Sequence, residues 1–245
     1  VATTAAELAA ETDVILLVVL DDDQLRSVVA GPEGVLSTAA PGTRLVVLST
    51  VTLDTLTDLA ALAARHDVAL IDCGVSGGPS AAPRGRLVAM LGGESDDVEA
   101  VRPVLDAACS LVEHLGPLGS GMRAKLARNL IQYASWHAAY EGQLLAEAAG
   151  IDLAAMKRII QASDEVIGGV TTLMRDTVEP FPPGFDPGWV ELMTATAGLA
   201  HKDLRAAIAL AGQLEVDLPL AELTDERYDR VLGLGPPRPS AAEPA

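Results

Sequence analysis

Three apolar runs, DVILLVVL at 13–20, RLVVLS at 44–49 and VALIDC at 68–73, constrain what this chain can fold into more than any other feature. None alternates with polar residues, so none can turn one face to water. Each must be covered on both sides, as parallel strands are when helices pack above and below a sheet. The stretches at 23–30 and 53–65 supply helices between them, and TTAAELAAET near the start carries a helix signal of its own. GRLVAMLGG at 85–93 and CSLVEHLG at 109–116 read as further strands. They flank a helix beginning near Ser95, where SDDVE combines a cap with acids in the first turn.

Past Pro117 the β-branched runs stop and helical periodicity takes over. Long helices are expected over 121–149, over 152–162 behind the cap Asp152, and over 194–215, with the proline-rich VEPFPPGFDPG at 178–188 as a loop. The fold class is therefore α/β, a Rossmann-like parallel-sheet domain over 1–116 followed by an all-α domain over 117–235 built on a long linking helix. Residues 236–245 read as a disordered tail.

Seventeen basic against thirty-four acidic residues give a net charge of −17, which repels nucleic acid and anionic membranes alike. The longest apolar run is about a third of a membrane span, and a cytoplasmic protein is expected. Cys73 and Cys109 are too few for a disulfide framework, and with four scattered histidines no metal site is expected. HExxH, CxxC and GxGxxG patterns are missing, so metal-dependent chemistry has no support.

Four short motifs remain. In GSGMRAKLARN, at 119–129, helical spacing puts Lys125, Asn129, Gln132 and Trp136 in one stripe of an otherwise apolar helix. That pattern suits a buried helix whose polar stripe faces a cleft, and a solvated face is the alternative. Glycines ahead of the lysine would let the chain approach a substrate closely. At the end of the run 68–73, Ser76, Gly77 and Gly78 can present a hydroxyl and two backbone amides to a carboxylate, or serve simply as a turn into the next strand. Ser49 and Thr50 end the run 44–49 at the same edge, where Thr50 could equally cap the next helix. Lys202 and Asp203, in HKDL, can project into a cleft or form a surface pair.

Taken in chain order, these motifs resemble the signature of the 3-hydroxyisobutyrate dehydrogenase family, the β-hydroxyacid dehydrogenases related to 6-phosphogluconate dehydrogenase. The resemblance spans residues 1 to about 232. It implies NAD or NADP as cofactor, a small hydroxyacid or carbonyl substrate, and a homodimer or homotetramer. It makes Lys125 the catalytic acid/base and Asn129 its substrate-holding neighbour, with Ser76, Gly77 and Gly78 as the carboxylate loop. Val19, Leu20, Thr50 and Lys202 fall at cofactor positions, while Asp203 would stabilise the site. The family usually has proline at Leu20, alanine-proline at Cys73 and Gly74, and threonine at Arg86, departures that bear on substrate identity. It also implies roughly forty further residues at the front, carrying the glycine-rich dinucleotide fingerprint. Two other readings are an imine or carbonyl-acid reductase of the same superfamily, which Lys125 disfavours, and a truncated, non-catalytic dimerisation or binding protein.

Overall fold

The computed structural model describes residues 1–170, 172, 174, 175 and 177–236. The elements run α1 (Ala5–Ala9), β1 (Val14–Leu17), α2 (Asp22–Ala30), β2 (Arg44–Val47), α3 (Leu53–Ala64), β3 (Ala69–Ser76), α4 (Gly78–Ala81), β4 (Leu87–Gly92), α5 (Ser95–Asp106), β5 (Cys109–His114), α6 (Ser120–Ala148), α7 (Leu153–Ile167), α8 (Pro187–Gln213) and α9 (Pro219–Val231). The chain divides into two units, Val1–Leu130 and Ile131–Ala245, with the boundary inside α6.

In the first unit the five strands lie side by side in the order β1-β2-β3-β4-β5. Burial on both faces holds for β2 and β3, whereas the edge strand β1 leaves Leu16 43% exposed, which corrects the expectation that all three runs are covered on both sides. On β2, Leu45 and Val47 join Leu25, Val29, Leu56 and Leu59 of α2 and α3, whereas Val46 turns the other way to Ile71, Leu91 and the α5 residues Val98, Val101 and Leu105. Each such side chain contributes about 1.5–3 kcal/mol by leaving water. The sheet is mixed rather than wholly parallel, because β3 and β4 pair antiparallel while the other neighbours are parallel. The link from β3 to β4 holds only α4 and a single 3-10 turn at Ala82–Arg84, too short for a crossover helix, so the chain returns beside the strand it left.

Local caps set several helix starts. Asp21, Thr52 and Asp152 each accept from a backbone amide three residues on, opening α2, α3 and α7. At α5 the structure corrects the expectation: Glu94 is the cap position, without a side-chain bond, and Ser95 is already helical. α8 starts earlier than its periodicity indicates, inside the proline-rich stretch, because Asp186 caps it and Pro187 stands where a missing N–H costs nothing. α9, for which no helix is expected from the sequence, likewise opens on a proline.

In the second unit, Met193 and Ala197 of α8 pack with Leu232, Phe181 and Tyr228. His201 of α8 reaches two α9 carboxylates, Asp225 at 2.6 Å and Asp229 at 3.2 Å, and these bonds raise its pKa. Arg205 holds the other Asp225 oxygen at 3.0 Å. Glu141, on the part of α6 in this unit, accepts from the amides of Leu220 and Ala221 at the start of α9. The expected tail lies, beyond Pro236, outside the described residues.

Candidate active site

β3 organises the site through alternate residues on one face. Asp72, Gly74 and Ser76 all point towards the beginning of α6, whereas Ile71, Cys73 and Val75 point into the α5 core. Asp72 is fully buried and accepts from the amides of Gly119 and Met122, both at 2.6 Å. Four amides at a helix N-terminus lack intrahelical partners, and a carboxylate satisfies two of them here while complementing the helix dipole. Burial raises the Asp72 pKa, opposed by the two amides and by the nearby Arg123 charge.

Two residues along the strand, Gly74 is required by contact. A Cβ there would stand 2.5 Å from the Lys125 Cβ and 2.9 Å from the Gly121 carbonyl. Gly121 in turn lies against the Met90 and Asp72 carbonyls, where any Cβ would collide. Gly121, ahead of the lysine, therefore brings the helix onto the sheet, a close approach to backbone where the sequence suggested a close approach to substrate. With the backbones this close, the Lys125 amine donates to the Val75 carbonyl. Lys125 is half-buried, and desolvation first, then the Arg128 charge, lowers its pKa.

Ser76 follows at the end of β3, half-buried, and leads into Gly77 and Gly78 with φ of 116° and 65°. Side-chain-bearing residues rarely hold those angles, so the pair fixes a backbone that only glycine adopts at low cost. Asn129 is half-buried one turn beyond Lys125, its carbonyl oxygen 3.4 Å from an Arg128 nitrogen.

At the carboxyl ends of β1 and β2, the Ser49 hydroxyl both donates to the Val19 carbonyl and accepts from its amide, each at 2.6 Å, pinning the two strand ends together. Leu20 beyond them is 81% exposed, and Thr50 is exposed too. Thr50 does not cap α3, since Thr52 does, accepting from Thr55 at 3.3 Å. Lys202 is exposed on α8 in the second unit and paired with Asp203 at 3.2 Å. The first unit thus sets Lys125 against Gly74 and Val75, next to the Ser76–Gly78 turn, with Asn129 one helical turn further on and Val19, Leu20 and Thr50 at neighbouring strand ends.

One expectation changes. The middle of α6 is not buried: Leu130 is 70% and Trp136 61% exposed in the single chain. Its apolar residues outnumber the neighbours this chain places against them. Asp72 was not singled out from the sequence, although a carboxylate closing an apolar strand ahead of a glycine-rich helix start was a usable signal. Cys73, at the family's alanine position, faces away from the site, and burial pushes its thiol up to about 12, so it takes no part in the chemistry. Among the described residues no group of three or more His, Cys, Asp or Glu side chains is placed to hold a metal, and no helix is long and apolar enough to cross a membrane.

Residues 1–116 match the family model for the NAD binding domain of 6-phosphogluconate dehydrogenase, and 119–237 match that for the NAD-binding region of NADP-dependent 3-hydroxyisobutyrate dehydrogenase. An uncharacterized oxidoreductase of Mycobacterium tuberculosis is 40% identical over 100% of this chain and 82% of its own length. The 2-(hydroxymethyl)glutarate dehydrogenase of Eubacterium barkeri is 29% identical over 94% of this chain and 74% of its own. A crystal structure from Mycobacterium avium 104 superposes with a TM-score of 0.87 at 38% identity, covering 95% of this chain and 82% of that one. With both halves matched in order and the strand-and-helix framework shared, the chain belongs to the 3-hydroxyisobutyrate dehydrogenase family, relatives of 6-phosphogluconate dehydrogenase, and is an NAD(P)-dependent oxidoreductase.

Proposed function

We propose that the enzyme oxidises a small β-hydroxyacid, or reduces the corresponding carbonyl acid, with Lys125 handling the hydroxyl proton. One observation carries the reading: an amine of lowered pKa rests on the Val75 carbonyl, one residue from Ser76 and its glycine pair. A carboxylate held by Ser76, Gly77 and Gly78 would place the carbinol of a short hydroxyacid beside that amine. In oxidation the neutral amine takes the hydroxyl proton; in reduction the ammonium polarises the carbonyl and returns it. Asn129, on the same helix face, supplies an uncharged amide to orient the substrate. Arginine could not replace the lysine, because it stays protonated at every working pH.

Val18 and Leu20 stand 75% and 81% exposed beyond the end of β1, with Thr50 exposed beyond the end of the neighbouring β2, and an apolar edge with a polar group nearby suits a nicotinamide ring and its amide. We assign Val19, Leu20 and Thr50 to that role, and Lys202 of α8 to a cofactor position. NAD(P), when bound, supplies the acceptor or donor of the hydride.

The test is a panel of 3-hydroxyisobutyrate, 2-(hydroxymethyl)glutarate, 6-phosphogluconate and a cyclic imine, each with NAD(H) and NADP(H). We expect oxidation of at least one of the first two at the highest kcat/KM. Imine reduction outpacing every hydroxyacid would replace this reading by the imine reductase one.

The same reading includes a second copy of the chain. Leu126, Leu130, Tyr133, Trp136 and Tyr140 form one stripe of α6, between 49% and 70% exposed, more apolar surface than a helix leaves to water without a partner. Sedimentation velocity at micromolar concentration should show a dimer or tetramer, and a monomer there would contradict the assignment.

A further inference from the structure

The geometry points to a second anion-recognising position in the substrate site, at Arg86, and hence to a dicarboxylic hydroxyacid whose second carboxylate is carried on the α-carbon. This rests on the reading of Ser76, Gly77 and Gly78 as the carboxylate loop.

The register between β3 and β4 supplies the argument. Asp72 pairs with Gly92, Gly74 with Met90 and Ser76 with Val88, and cross-strand partners share a face. That face is the one on which Gly74 meets Lys125, while Cys73, Ala89 and Leu91 fill the core on the other. Arg86 stands in the turn just before β4, its amide bonded to the Ala81 carbonyl, and the chain there runs beside the glycine pair. The backbones are adjacent there, since a Cβ on Gly77 would lie 3.5 Å from the Arg86 carbonyl.

Order along the face fixes where the second group must be. Along β3, Lys125 lies against Gly74 and Val75, Ser76 comes next, and Arg86 comes last, its backbone beside Gly77. A substrate with its hydroxyl at Lys125 and one carboxylate at the glycine pair reaches Arg86 from the carboxylate end, through a substituent on the α-carbon. A chain extended beyond the carbinol would run the other way.

Charge agrees. The Arg86 side chain is exposed and makes no hydrogen bond or ion pair among the described residues, in a chain with twice as many acidic as basic side chains. One planar guanidinium matches one carboxylate through two parallel bonds, whereas a phosphate dianion calls for more donors than this position offers.

The experiment compares kcat/KM for 2-(hydroxymethyl)glutarate with that for 3-hydroxyisobutyrate, which has a methyl group in place of the carboxyethyl arm, in the wild type and in Arg86→Thr and Arg86→Lys. The wild type is expected to favour the dicarboxylate on the order of 10- to 100-fold, Arg86→Thr to bring the ratio near unity, and Arg86→Lys to restore part of it. A wild-type ratio near unity, or a ratio that Arg86→Thr leaves unchanged, overturns the Arg86 assignment alone. Turnover of neither acid overturns it together with the hydroxyacid reading.

Discussion

Lys125→Met is expected to lower kcat/KM for the favoured hydroxyacid by about 10²- to 10⁴-fold, the range over which a positioned proton-transfer group contributes. Methionine keeps the length and most of the apolar stem of lysine, so the packing of Gly74 against the Lys125 Cβ is retained while the amine on the Val75 carbonyl is lost. Melting temperature and cofactor affinity should therefore stay close to wild type. The loss should appear mainly in kcat, because the bond to the reacting oxygen strengthens as charge develops there. A variant within threefold of wild type would remove the lysine from the chemistry.

Asp72→Ala is expected to destabilise the protein by about 2–4 kcal/mol, since two buried amides at the start of α6 would lose their acceptor and the helix its N-terminal anion. Relief of the carboxylate's desolvation offsets part of this, which is why the figure stays below the sum of two orphaned donors. Asp72→Asn should fall between, with one acceptor kept and an amide group turned towards a donor. Urea titration of the three proteins gives the values directly. Activity should fall with stability, because the residue that anchors α6 also sets where Lys125 stands; it is a positioning residue and touches no substrate. An Asp72→Ala protein as stable as wild type would show that the helix start is held by other contacts.

Much of the first unit was legible because its physics is local. Runs 44–49 and 68–73 became strands buried on both faces, run 13–20 became an edge strand with Leu16 exposed, and Asp152 became a cap whose side chain accepts where its position says it should. The antiparallel return of β4 was less visible, since direction depends on how short the connection is once α4 has formed within it. The start of α8 was obscured because proline marks both loops and first helical turns, and only the Asp186 cap distinguishes them. Spacing alone put Lys125 and Asn129 on one face. It could not reveal that Gly74 and Gly121 make that face reach the sheet, because the contact joins residues about fifty positions apart. The burial expected for α6 failed for a related reason: periodicity reports which residues seek cover, and not whether the same chain provides it.

The account stands or falls on the protonation of one amine, and the pH dependence of kcat/KM for hydroxyacid oxidation reads it most directly. Oxidation needs the neutral amine, so the rate should climb with pH through a single ionisation below the ordinary lysine value of about 10.4, in the direction that burial and the Arg128 charge shift it. In Lys125→Met that ionisation should vanish from whatever residual rate persists. A wild-type profile with no such step, or one that Lys125→Met reproduces unchanged, would contradict the assignment of the proton transfer to this residue.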